Sequence, residues 1–193
     1  MTDFTRLDAA ISTTLREGVA ELLAADPTLT LMACGVVEDL TGFYVAGAGA
    51  EWLAEAQSGG EEDLAALWYP SEWPLEAEHP EDVPPGRVAS AIWELSGCQA
   101  FGTGDVIDDD AYAALTRDYE ERIVLALREL REEGVLRNGS GEQILVWLHS
   151  SDESAPDLDA RTFAALQEPA LAALFRDRFG DGGRVLVERI LGP

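Results

Sequence analysis

The chain has 193 residues, 47% of them hydrophobic, which is enough apolar material for one sizeable core. Its 37 acidic side chains against 13 basic ones give a formal net charge of −24. Such a field repels nucleic acid and anionic membrane, whose affinity for proteins comes from Lys and Arg neutralising phosphates, so neither is expected as a partner.

No apolar stretch approaches the roughly 20 residues that cross a bilayer, and no basic start with an apolar centre marks an export signal. The expected address is the cytoplasm. Every basic side chain is arginine, and between Glu17 and Gly86 there is none, although acidic residues recur from Glu21 to Asp82. Cys34 and Cys98 sit among small or apolar neighbours and read as buried thiols, not as disulfide partners or metal ligands.

Taken in chain order, Phe4, Leu7, Ile11, Leu15, Val19, Leu22 and Leu23 recur at helical steps and predict an amphipathic helix that Asp26-Pro27 ends. Residues 29–37 read as a strand apolar on both faces. A turn ending at Gly42 leads into a second strand over 43–48, which is hairpin grammar. Residues 50–56 predict a short helix. A third extended segment is expected over 66–76, where Pro70 and Pro74 point to an edge position or a bulge.

Residues 77–86 form a proline-rich acidic loop, and 87–95 a helix with Val88, Ile92 and Leu95 inward. The Gly- and Asp-rich stretch 97–110 ends as an N-cap for the clearest helix of the chain, with Tyr112, Leu115, Tyr119, Ile123, Leu127 and Leu130 on its stripe and Gly134 as its stop. Residues 143–150 are a buried strand. Asp157 is placed to cap one helix carrying Leu158, Phe163, Leu166, Leu171, Leu174 and Phe175, while 184–191 fits a strand or a helical turn equally. Strands that do not alternate strictly with helices predict an α+β fold. The expectation is a mainly antiparallel sheet of about four strands, with helices covering one face, in a single compact domain.

Candidate chemistry is sparse. His149, Ser150, Ser151 and Asp152 offer a base, a nucleophile and an acid in one loop, but a triad normally draws its members from separate loops, and no G-x-S-x-G elbow is present. His79 lies among carboxylates as a surface histidine. Asp105, Asp108, Asp109 and Asp110 lack the spacing of a calcium loop and read as helix capping. Gly47-x-Gly49 and Gly102-x-Gly104 lack the third glycine and the βαβ context of a phosphate cradle. No cofactor, metal or catalytic residue is assigned.

The most distinctive string is Trp68-Tyr69-Pro70-Ser71-Glu72-Trp73-Pro74-Leu75-Glu76. On an extended segment, tryptophans five apart lie on opposite faces, so one ring enters the core and the other is left for the surface or a second layer. An exposed aromatic flanked by carboxylates has the make-up of a hot spot for a cationic partner, which makes Trp68, Glu72, Trp73 and Glu76 the candidate binding residues. In its order within the chain, the string resembles a bacterial family, the domain of unknown function 4303. The helix, hairpin, Glu51-Trp52, long-helix and buried-strand pattern around it extends that resemblance over most of the chain. Pro74-Leu75 departs from the family's pattern of a polar residue and a tyrosine. The resemblance implies a small intracellular α+β protein of the kind found near toxin and immunity loci, and it carries over no catalytic residue.

Three functions follow. The first is a non-enzymatic, immunity-like binding protein that presents an acidic face to a basic protein partner. The second is a hydrolase with a site near His149. The third is a housekeeping domain whose acidity serves only solubility or salt adaptation. The residues leave the oligomeric state open.

Overall fold

The computed structural model describes residues 2–36, 40–59, 61–77, 86–97, 108–150, 155 and 157–192, with the backbone alone at 61–63. Its centre is a four-stranded sheet of order β3-β2-β1-β4. β1 (Leu29–Val36) and β2 (Phe43–Gly49) form the expected hairpin, in register from Leu31 opposite Ala48 to Val36 opposite Phe43. The two-residue β3 (Leu75–Glu76) adds to β2 antiparallel, and β4 (Leu145–Ser150) lies parallel to β1. The sheet is therefore mixed.

Alternation along the strands sends side chains into two separate cores. Met32, Cys34, Val45, Val146 and Leu148 meet α1 (Thr5–Ala25), α4 (Arg87–Ser96) and α5 (Asp109–Glu132) in an aliphatic cluster. Leu31, Ala33, Ala46, Ala48, Leu145 and Trp147 face the other way, into an aromatic cluster with α2 (Ala50–Ser58), α7 (Pro169–Arg176) and α8 (Asp181–Leu191). α6 (Leu158–Leu166) runs beside β4 and contributes Leu158 to the first cluster and Phe163 to the second. Helices thus cover both faces of the sheet, not one as expected. β1 and β4 are buried on both sides, and each side needs its own cover.

Several boundaries differ from the expectation. The segment over 66–76 is not one extended run: α3 (Glu61–Ala66) ends in a turn, Pro70–Glu72 forms a 3-10 turn, and only Leu75–Glu76 is strand. Pro70 at the start of that 3-10 turn supplies the helical φ and removes a donor, so the backbone winds before it extends. The single helix expected after Asp157 is two, because Pro169 has no N–H to continue α6 and starts α7 instead. Asp157 stands at the N-cap of α6, yet its side chain makes no capping bond.

Residues 184–191 belong to α8, whose glycine-rich start disguises it. A Cβ at Gly183 would fall 1.9 Å from the Arg178 carbonyl oxygen and 2.9 Å from Trp68 Nε1, so glycine lets α8 close onto the end of α7. Among the described residues no helix is long and apolar enough to cross a membrane.

Candidate functional site

The tryptophan string enters the aromatic core instead of bridging two faces. Trp68 meets Phe175 edge-on at 5.8 Å, and Trp73 meets Trp147 at 5.2 Å while its Nε1 donates to the Leu67 carbonyl at 2.9 Å. The 3-10 turn between them cancels the strand alternation that would have put the rings on opposite faces. Both indoles are buried, at 1% and 7% exposure, so neither is free as a surface anchor. The exposed ring is Tyr69, which lies 5.4 Å from Phe179, also exposed. Glu72 and Glu76 face solvent.

His149 lies on the same face of β4 as Trp147 and in one row with Gly35 of β1 and Tyr44 of β2. A Cβ at Gly35 would sit 1.9 Å from the Tyr44 ring, so the glycine opens the space that ring fills across β1, on the way to His149. Burial first, then the negative charges of Glu76 and Asp159, push the Tyr44 hydroxyl up to about 12.

His149 is not the bare strand-end residue its position suggested. Its Nδ1 lies 3.0 Å from Asp159 Oδ2, the oxygen that also accepts from a terminal nitrogen of Arg178 at 3.4 Å. All three side chains are largely buried, at 12%, 7% and 12% exposure for His149, Asp159 and Arg178. The Arg178 guanidinium is flanked by two rings, 4.6 Å from the centroids of both Phe175 and Phe179. Burial holds its pKa below the usual range, and the nearby Asp159 and Tyr69 oppose that shift.

Trp68, Tyr69, His149, Asp159, Arg178 and Phe179 line a cavity of about 250 Å³. A second cavity of about 310 Å³ shares Arg178 and Phe179 with it and reaches Arg184. Chemically, a carboxylate on Nδ1 fixes the imidazole tautomer and orientation and leaves Nε2 as its working atom. Of the loop-local candidates beside His149, only Ser150 is among the described residues. Ser150 and Ala155 also line the cavity of about 250 Å³, and the Ser150 Oγ accepts from the Ala155 N–H at 3.3 Å. Ser151 and Asp152 lie outside the described residues.

The other sequence candidates carry structure. Asp108 Oδ1 accepts from the N–H groups of Asp110 and Ala111 and caps α5, with Asp109 and Asp110 exposed in its first turn. His79, Cys98, Asp105, Gly102 and Gly104 lie outside the described residues. Gly47 packs beneath Leu22 and Leu29, and Gly49 precedes the first turn of α2. Cys34 is buried, and burial pushes its thiol pKa up, out of reach of the reactive thiolate form. Among the described residues no group of three or more His, Cys, Asp or Glu could hold a metal ion.

Asp159 and Arg178 are the site residues that sequence reading missed. Asp159 resembles any acid in a first helical turn. The one available signal was Phe175, Arg178 and Phe179 at helix-like spacing, two rings placed to flank a cation. No family model, curated protein or solved structure matches this chain.

Proposed function

We propose that this is a non-enzymatic binding protein, immunity-like in kind, that holds a basic protein partner against its acidic side. The observation that carries the reading is a set of exposed carboxylates that make no ion pair among the described residues. Arginines tie the aliphatic layer together: Arg6 pairs with Glu94, Arg16 with Glu133, Arg87 with Glu17, Arg122 with Asp8 and Arg161 with Glu120. On the other side, Glu51 and Glu55 of α2, Glu72 of the 3-10 turn and Glu76 of β3 are exposed. They belong to a span without a basic residue, while the exposed arginines of this side, Arg176, Arg184 and Arg189, stand on α7 and α8, where Arg184 pairs with Asp181 and Glu188. Among the described residues none of these four carboxylates takes part in an ion pair, which leaves them available to a cation from outside. The resemblance to the domain of unknown function 4303 family points in the same direction. With Trp68 and Trp73 buried, the carboxylates and Tyr69 are the groups offered for contact.

Affinity capture from extract of the native cells tests the reading. Wild type is expected to retain a basic protein at low salt and release it at high salt. A variant carrying Glu51→Gln, Glu55→Gln, Glu72→Gln and Glu76→Gln is expected to lose it. Identical recovery by both proteins at both salt concentrations refutes the reading.

One observation favours a second reading, a hydrolase: His149, oriented by Asp159, lines a cavity. That reading expects ester or amide turnover that disappears in His149→Ala, and a wild-type protein inert towards a broad ester panel argues against it.

A further inference from the structure

The Arg178 side chain is poorly served by its surroundings. A guanidinium offers five N–H donors. Here one terminal nitrogen donates to Asp159 Oδ2 at 3.4 Å and the other to the Phe175 carbonyl at 3.5 Å, both at the outer limit of a hydrogen bond. Nε is buried without a partner. Asp159 cannot compensate fully, because the same Oδ2 also serves His149. A guanidinium left this far from saturation at 12% exposure costs stability unless another acceptor completes it.

We propose that the cavity between His149 and Arg178 is a binding site for a small organic anion, a carboxylate carried on a flat apolar body. A carboxylate matches the fork of a guanidinium and gains most where water is excluded. Tyr69 and Phe179, 40% and 54% exposed and tilted 39° to each other, offer ring faces at the mouth to a flat group. Trp68 closes the wall, and His149, with Nδ1 committed to Asp159, offers Nε2 as a further polar atom.

The cavity of about 250 Å³ lies just under the roughly 300–1,000 Å³ of sites for drug-sized ligands, which limits the occupant to about one ring with its acid group. A chain of net charge −24 gives such an anion no long-range attraction, so recognition rests on short contacts and the affinity is modest. The site takes an anion where the acidic side takes a cation, so failure of one leaves the other standing.

Titration of the full chain with benzoate, followed by backbone and Trp68 indole amide shifts, tests the proposal, with benzamide as the neutral control of the same shape. The expected result is saturable benzoate binding with shifts at Trp68, Tyr69 and Phe179. Benzamide is expected to bind at least tenfold more weakly, and Arg178→Gln to weaken benzoate at least tenfold. Should Arg178→Gln unfold, Tyr69→Ala, which removes an exposed ring, is expected to weaken benzoate severalfold at unchanged melting temperature. No saturation, equal binding of benzamide, shifts elsewhere in the molecule, or undiminished binding by Tyr69→Ala overturns it.

Discussion

The two faces of the sheet are built by different means. Beneath α1, α4 and α5 the core is mostly aliphatic, and the charged groups around it are joined by arginines that cross from helix to helix. Beneath α2, α7 and α8 the core is a ring cluster, with Trp147 touching Trp73, Phe163 and Phe175, and Phe163 stacked on Phe175 at 3.9 Å. Among the described residues, this second side alone holds a buried carboxylate shared by an imidazole and a guanidinium. The first side is arranged for stability. The second combines an aromatic floor with a buried polar trio and exposed carboxylates, the groups on which the proposed binding role rests.

The largest effect expected on that contrast is at Trp147, which is fully buried and joins three other rings. Trp147→Ala is expected to cost about 3–5 kcal/mol in urea unfolding, with the near-ultraviolet circular dichroism of the aromatic cluster lost. Asp159→Ala leaves Arg178 buried beside no carboxylate and is expected to cost roughly 3 kcal/mol by the same measurement. A value near zero for Asp159→Ala would mean that the trio carries no structural weight.

Smaller effects sharpen the comparison. The Tyr44 hydroxyl ionises at about 12 in the folded protein, against about 10 for a free tyrosine. The folded state therefore holds its proton longer than the unfolded chain does. Stability from this source is complete below pH 10 and falls as pH rises from 10 towards 12. Urea midpoints measured across that window are expected to decline less steeply in Tyr44→Phe. Smallest of all, Arg16→Gln removes an exposed ion pair with Glu133 and is expected to change stability by less than about 1 kcal/mol, with added salt erasing the difference.

Much of the fold was legible because the period of the apolar residues is local information. α1, β1, β2, α5 and β4 stand within a few residues of where the pattern placed them. The hairpin needed only its turn and its two apolar runs. The parallel pairing of β1 with β4 is different in kind, since it joins segments more than a hundred residues apart and leaves no mark in either. The run over 66–76 and the start of α8 were not legible for physical reasons at Pro70 and Gly183. One winds a stretch whose composition suits a strand, and the other is a packing glycine inside a helix that reads as a loop.

The candidate site was half legible. His149 stood out as one of two histidines, and Trp68 and Tyr69 as part of an unusual string. That they line one cavity follows from the sheet order and from the turn at Pro70, neither of which a linear reading supplies. Asp159 and Arg178 were hidden because an acid in a first helical turn and a base in the turn between α7 and α8 look like solvated surface until packing buries them.

Hydrogen-exchange footprinting of the captured complex tests the division between the two sides most directly. The account predicts slowed exchange along Ala50–Ser58, the Pro70–Glu72 turn and Leu75–Glu76, with α5 unchanged over Asp109–Glu132. Protection centred on α5, with α2 and the turn unaffected, would contradict it.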